Sequence, residues 1–272
     1  MTSRAHDMSE RVSALLDEVR RRAPLVHHLT NWVTINDCAN VVKAFGASPV
    51  MAHAPEEVEE MVGIASALVL NIGTLTVELV GAMKKAVRRA NERGIPVVLD
   101  VCGAGATRLR DEKCRELLDE GQIDVVKGNA SEIARVAGRV VSTRGVDATD
   151  VSGDLAAIAK ELAARRRCTI VITGAEDIVT NGVSTLLVAN GAPLMGRVVG
   201  TGCMAASVIG TFVAVEHDHV TAAAAGLACY EIAAELAVRE SKGPGTFKAA
   251  LLDAVATLDE AAVRARQRVR QG

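Results

Sequence analysis

Short apolar runs alternate with longer amphipathic stretches along most of this chain. The runs at residues 48–52, 67–72, 96–101, 124–127, 169–173 and 185–188 predict strands. Three of them (ALVLNI, PVVLD and TIVIT) are continuous rather than alternating. A strand apolar on both sides is covered on both sides, and such strands pair in parallel with helices as their crossovers. Residues 76–93 have the length and charge placement of a crossover helix. The segment 177–190 breaks the pattern, because two short strands flank Asn181-Gly182, a hairpin signal. Past residue 200 the pattern turns helical, with helices predicted at 203–215, 220–239 and 247–266. A further helix is predicted at 8–20, where Arg20-Arg21-Arg22 forms a solvated end. No Pro/Ser-rich linker, repeat or low-complexity tract divides the sequence. Residues 1–272 therefore read as one α/β domain with a mostly parallel central sheet, helices on both faces and a helical C-terminal third.

Composition narrows the function classes. Of 272 residues, 49% are hydrophobic and 24% charged, and the net charge is −2, which excludes disorder as the main state. With 31 basic against 33 acidic residues there is no global positive field for nucleic acid. The aromatics Trp32, Tyr230, Phe45, Phe212 and Phe247 are too few for a stacking platform. Cysteines at 38, 102, 114, 168, 203 and 229 show no CxxC pair and no zinc spacing. Cys38, Cys114, Cys168 and Cys229 sit in apolar surroundings and read as small core residues. The charged N-terminal stretch lacks the apolar core of a signal peptide. The apolar region 202–237, broken by Glu216-His217-Asp218-His219, falls short of a spanning helix. The expectation is a soluble, cytoplasmic protein with neither membrane nor nucleic-acid partners.

Chemistry concentrates at the strand ends, where open parallel sheets place their ligands. Asn71-Ile72-Gly73-Thr74 follows one strand, and Asp100 closes the next, ahead of Gly103-Ala104-Gly105-Ala106-Thr107. Lys127-Gly128-Asn129-Ala130-Ser131-Glu132 and Thr173-Gly174 follow the two after that. The strongest element is Val199-Gly200-Thr201-Gly202-Cys203, running directly into an apolar helix. Its glycines allow close backbone approach, and the helix start offers unpaired donors to a phosphate. A plain glycine turn with a locally packed thiol is the competing reading. No GxxxxGK[ST] loop occurs, and Arg108 stands where a dinucleotide fingerprint beginning at Gly103 needs glycine. Asp100, at the end of a buried run, needs a partner, and with Asn129 and Glu132 it suits Mg²⁺. Asn129 and Glu132 also read, locally, as N-cap and N3 of a capping box. His27 and His28 are adjacent, so one is expected packed and one exposed, and His217 and His219 are expected in solvent.

The motifs, taken jointly, resemble those of the hydroxyethylthiazole kinases. They are Pro24-Leu25-Val26-His27-His28-Leu29-Thr30-Asn31, Gly46-Ala47-Ser48-Pro49-Val50-Met51, Leu70 to Leu75, Val98-Leu99-Asp100 with Gly103 to Thr107, Lys127 to Glu132, Gly200 to Cys203, and Gly243 to Phe247. The resemblance runs over residues 24–260. It implies a ribokinase-like three-layer α/β/α fold, and a homotrimer with active sites at subunit boundaries. The implied reaction is phosphorylation, with ATP and Mg²⁺, of the hydroxyl of 4-methyl-5-(2-hydroxyethyl)thiazole in thiamine salvage. It also implies that Met51 and Asn31 contact the thiazole alcohol and that Gly200 lies beside its hydroxyl. Lys127, Thr173 and Asn129 would hold ATP, and Asp100 and Glu132 would surround magnesium and the phosphates. Gly200, Thr201, Gly202 and Cys203 would form the anion hole, with Cys203 as an auxiliary base where related kinases carry Asp. The chain departs from the family pattern at His28 (commonly Asn), Trp32 (commonly Tyr), Lys127 (often Arg) and Val101-Cys102 (commonly Pro-Val). A hydroxymethylpyrimidine or pyridoxal kinase of the same fold, or a silent ATP-binding subunit, are the alternatives.

Overall fold

The computed structural model describes residues 2–139 and 154–272. Five strands run parallel to a sixth: β1 (Leu25–Leu29), β2 (Ser48–Val50), β3 (Ala67–Asn71), β4 (Val97–Asp100), β5 (Val125–Asn129) and β6 (Thr169–Thr173). The antiparallel strands β7 (Asp177–Thr180), β8 (Thr185–Val188) and β9 (Val269–Gln271) complete the sheet. Its order is β2-β1-β3-β4-β5-β6-β7-β8-β9. The helices are α1 (Thr2–Arg22), α2 (Ile35–Ala44), α3 (Val58–Ile64), α4 (Val77–Arg93), α5 (Arg108–Glu120), α6 (Ala130–Val136), α7 (Leu155–Arg166), α8 (Thr201–Val213), α9 (His219–Glu240), α10 (Pro244–Thr257) and α11 (Glu260–Arg266). A 3₁₀ turn spans Pro193–Arg197.

The continuous apolar runs are explained by the layers. In β3 every position is buried. Val69, Val98, Val125 and Val171 pack toward α8 and α9 on one face. Leu68, Leu70, Leu99, Val126 and Ile170 pack toward α4 on the other. Each strand thus feeds two cores, so period-2 alternation vanishes from its sequence. The hairpin signal is also met: the Asn181 side chain accepts N–H bonds from Val183 (3.0 Å) and Ser184 (2.8 Å) between β7 and β8.

Five expectations change. The strand β1 lies outside the apolar runs, because its sequence LVHHL carries two polar residues. Both histidines are buried, not one, since β1 lies between β2 and β3 with helices over each face. His27 Nε2 donates to the Ala52 carbonyl at 2.8 Å and His28 Nδ1 to that of Val26 at 3.0 Å. Burial lowers both pKa values, that of His28 to about 3, so the rings stay neutral. The predicted 247–266 helix divides in two, because Asp259 caps a new start by accepting the Ala262 N–H at 2.7 Å. β9 went unpredicted because three residues, two of them polar, carry no strand pattern. Finally, α9 is, by length and composition, apolar enough to cross a membrane. Its apolar side chains are instead core, packed against α8, α10 and α1.

One close approach sets the site. A Cβ on Gly210 would stand 2.2 Å from Val69 Cγ2, so α8 lies directly on β3. That contact points the N-terminus of α8 across the carboxyl ends of the central strands.

Candidate active site

Gly200 begins the site with a φ of +98°, left-handed backbone that favours glycine. A Cβ there would also come within 2.7 Å of Thr34 Cγ2. The first hydrogen bond of α8 runs from the Met204 N–H to the Gly200 carbonyl at 2.8 Å. Among the described residues, the N–H groups of Thr201, Gly202 and Cys203 therefore keep no backbone partner, and they carry the positive end of the helix dipole. Two ties fix the turn: the Thr201 hydroxyl donates to the Met195 carbonyl (3.0 Å), and the Tyr230 hydroxyl donates to that of Thr201 (3.2 Å).

Facing this turn is a row made by strand register. Asn71 pairs with Asp100, Asp100 with Lys127, and, one step further along, Asn129 with Thr173. In-register parallel strands thus deliver amide, carboxylate and ammonium side by side. Asn31 Nδ2 donates to Asn71 Oδ1 (3.0 Å) and to the Cys203 sulfur (3.3 Å). Asn71 Nδ2 donates to Asp100 Oδ2 at 2.9 Å, and Lys127 Nζ lies 3.4 and 3.5 Å from the two Asp100 oxygens. Asn31 Oδ1 in turn accepts from the Thr34 hydroxyl at 3.0 Å.

Burial governs the charges. It pushes the Asp100 carboxyl upward, against the pull of Lys127. Burial alone would lower the Lys127 ammonium, but Asp100 and Glu132 outweigh it and hold the proton. The Cys203 thiol is drawn down to about 5, first by the hydrogen bond from the Cys102 thiol, against burial, then by Lys127, Thr34 and Asn31.

Glu132 spans both of its predicted roles. Its Oε1 accepts the Gly103 N–H at 2.7 Å and its Oε2 the Asn129 N–H at 2.8 Å, while Asn129 Oδ1 accepts the Glu132 N–H at 3.0 Å. The capping box is therefore present, and the carboxylate also fastens the loop after β4 and lines the cavity. Arg110, which nothing in its sequence neighbourhood singled out, fastens the same region. Its guanidinium donates to the carbonyls of Ile72 (2.8 Å), Gly73 (2.6 Å) and Cys102 (3.1 Å).

A cavity of about 560 Å³ gathers Asn31, Asp100, Lys127, Asn129, Glu132, Thr173, Gly200, Thr201, Gly202 and Cys203. Met51 is not on its wall: it follows β2 near the sheet edge, with its carbonyl 3.1 Å from His53 Nδ1. A second cavity, about 530 Å³, shares Thr173, Gly196, Thr201 and Gly202 with the first and is walled by Pro193, Ala205, Leu227 and Tyr230. Sequence reasoning did not single out its carboxyl pair, Asp177 and Glu231, which lie far apart along the chain.

In that pair Asp177 Oδ1 accepts the Gly174 N–H at 2.9 Å, its other oxygen is buried with no N–H or O–H donor among the described residues, and the Glu231 carboxyl lies beside it. Burial pushes both carboxyls up, and Asp177 and Glu235 help drive Glu231 to about 11 against the pull of Arg268. One shared proton satisfies the pair. The folded state then binds a proton that the unfolded state releases above the ordinary carboxylate range, so this pair's contribution to stability falls as pH rises through neutrality. Glu231→Gln supplies a permanent N–H donor to Asp177. Its melting temperature is expected to fall less than the parent's between mildly acidic and alkaline buffer. Equal slopes in thermal denaturation would refute the shared proton.

Comparison with known proteins places this geometry. The sequence pattern of the Hydroxyethylthiazole kinase family matches residues 16–261. A hydroxyethylthiazole kinase of Methanosarcina mazei is 51% identical over 256 residues, covering 94% of this chain and 98% of that protein. The structure of a hydroxyethylthiazole kinase protein from Pyrococcus horikoshii OT3 is similar with a TM-score of 0.88 at 41% identity, over 96% of this chain and 98% of that one. An ADP complex of Bacillus subtilis pyridoxal kinase, 15% identical, is similar with a TM-score of 0.57 over 79% of this chain and 92% of that one, and shares the ribokinase-like fold alone. Because the family pattern matches residues 16–261 and a relative 51% identical is matched over 94% of the chain, this chain belongs to the hydroxyethylthiazole kinase family.

Proposed function

We propose that this protein transfers the terminal phosphoryl group of ATP, with Mg²⁺, to the hydroxyl of 4-methyl-5-(2-hydroxyethyl)thiazole, a step of thiamine salvage. The observation that carries the reading is the unpaired start of α8 facing the Asp100–Lys127 pair across one cavity. Phosphoryl transfer needs positioning and charge stabilisation more than covalent chemistry, and this wall supplies both. A Cβ on Gly202 would stand 3.3 Å from Lys127 Nζ, so bare amides and an ammonium converge on one point. The transferring phosphoryl group sits there. The second cavity, joined to the first at Thr173, Thr201 and Gly202, takes the rest of the nucleotide; Lys127 and Asn129 line the first cavity and Thr173 lines both.

The acceptor alcohol lies against Gly200 and Cys203, with Asn31 orienting it. Cys203, held partly as thiolate, accepts the proton that the hydroxyl releases as its oxygen takes the phosphoryl group. The residues fit a magnesium ion: Asp100 is a buried carboxylate whose lysine partner lies at 3.4 Å, and Glu132 offers further hard oxygens. When bound, the ion neutralises charge building on the phosphate oxygens. Met51 meets the thiazole from a boundary completed by a neighbouring copy of a homotrimer. Trp32 and Val33, 56% and 66% exposed beside that edge, support the boundary. The cytoplasm is the proposed compartment, in keeping with six free cysteines.

The test is ADP release from Mg²⁺-ATP with the thiazole alcohol, pyridoxal or hydroxymethylpyrimidine as acceptor. Thiazole-dependent ADP together with the phosphorylated thiazole is expected; ADP released only with another acceptor would move the assignment to that kinase. Because Cys203 assists rather than forms a covalent intermediate, Cys203→Ser is expected to keep measurable turnover, lowered by at most about a hundredfold, with an unchanged KM for ATP. Complete inactivity in a folded variant would make Cys203 essential and contradict this.

A further inference from the structure

Cys102 takes up no proton and binds no substrate in the mechanism above, yet it is built against the residue that does. Of the six cysteines, Cys38, Cys114, Cys168 and Cys229 are buried, whereas Cys102 and Cys203 are only half-buried and line the same cavity. Both line one cavity wall, Cys203 at the start of α8 and Cys102 two residues past Asp100, and each thiol perturbs the other. Cys203 is on the first turn of α8, and Cys102 is in the turn after β4, followed by Gly103 with φ +79° and Gly105 with φ +91°. A disulfide requires the sulfurs to close to about 2.05 Å, and one partner on a non-repetitive, glycine-bearing turn can make that approach without unwinding a helix or strand.

We infer that Cys102 and Cys203 form a redox-modification site: a hydroperoxide converts the pair to a disulfide that closes the phosphoryl-acceptor cavity. The Cys203 sulfur attacks the peroxide O–O bond, which breaks to release water or an alcohol and leaves a sulfenic acid on Cys203. The Cys102 sulfur then attacks the Cys203 sulfur, the S–O bond breaks, and the departing hydroxide leaves as water with the Cys102 proton. Two thiols lose two electrons and one hydroperoxide gains them. The disulfide removes the proton acceptor, pulls the Cys203 sulfur from Asn31 Nδ2 and pins the turn after β4 to the start of α8. A thiol donor reverses it. The loss of turnover rests on the proposed kinase reaction, whereas the bond itself does not.

The experiment treats the full-length protein with graded hydrogen peroxide, caps free thiols with an alkylating reagent, and maps peptides by mass spectrometry. The expected product is a peptide containing residue 102 joined to one containing residue 203, lighter by two hydrogens and absent after dithiothreitol. Cys38, Cys114, Cys168 and Cys229 remain alkylatable only on unfolding. Thiazole-dependent ADP release falls by at least about tenfold in step with the linked peptide and returns with dithiothreitol, as misplacement of a reacting group predicts. In Cys102→Val, which lacks the second thiol, peroxide is expected to carry Cys203 to sulfinic acid, and dithiothreitol no longer restores activity. Oxidation of Cys203 in the parent without the linked peptide would overturn the inference, as would both thiols remaining reduced where free N-acetylcysteine is fully oxidised. If the reduced protein shows no thiazole-dependent turnover, the kinase reading fails while the peptide map still decides the thiol pair.

Discussion

Asp100→Asn is expected to lower kcat by on the order of a hundred- to a thousandfold while ATP still binds. Asn is nearly isosteric, and its side-chain oxygen can still accept the bond from Asn71 Nδ2 that Asp100 Oδ2 accepts at 2.9 Å. What disappears is a negative charge that is fully buried and faces Lys127. In the proposed reaction that charge would draw a hard cation to the phosphates, and it also offsets an ammonium that is itself only 5% exposed. Leaving one buried ion unpaired costs up to about 3–5 kcal/mol of stability, so the melting temperature falls as well. Kinetics are therefore compared below the variant's melting transition, with nucleotide binding followed by calorimetry. A variant with kcat within a few-fold of the parent would show that Asp100 is a structural partner of Lys127 and nothing more.

Gly200→Ala is expected to reduce kcat/KM for the acceptor alcohol by on the order of a hundredfold, because a small misplacement of the α8 start moves the anion-binding amides. Two independent costs fall on the same methyl group. Left-handed backbone at φ +98° strains any side chain by about 1–2 kcal/mol. The methyl carbon also meets Thr34 Cγ2 at 2.7 Å, and Thr34 is held by Asn31, which orients Cys203. The steric part can be separated. Thr34→Ser removes Cγ2 but keeps the hydroxyl that bonds Asn31 Oδ1, so the double variant is expected to recover part of the loss, with the backbone strain remaining. Full activity in the single variant, or no recovery in the double, would contradict this account of the turn.

Much of the site could be read from its residues because each strand end carries its chemistry in a short contiguous stretch. Asp100, Lys127 and Thr173 each close an apolar run, and Gly200-Thr201-Gly202-Cys203 opens a helix. Composition and punctuation suffice for such signals. Glu132 shows the limit, since the same residue at the same spacing reads as a magnesium-side carboxylate and as half of a capping box. Its hydrogen bonds make the box, and its place on the cavity wall leaves room for the other role. Met51 shows a different limit: the motif that singled it out does not bring it to the wall of this chain's own cavity.

The contacts that no local pattern shows share one property, long separation along the chain. Arg110 clamps the loops after β3 and β4, and Asp177 finds Glu231 only after the hairpin, the 3₁₀ turn and α8 intervene. The two histidines of β1 look half-exposed in sequence because adjacent residues of a strand face opposite ways; they are both buried because the sheet has helices on both sides. By itself the sequence determined the alternation of strands and helices, the two-sided burial of the strands and the family's motifs, because backbone periodicity, turn chemistry and apolar continuity act over a few neighbouring residues. Only the tertiary structure decided the row Asn71–Asp100–Lys127, the seating of α8 upon β3 through Gly210, and the meeting of Cys102 with Cys203. Strand register and helix docking arise from packing between distant segments, and no local pattern carries that information.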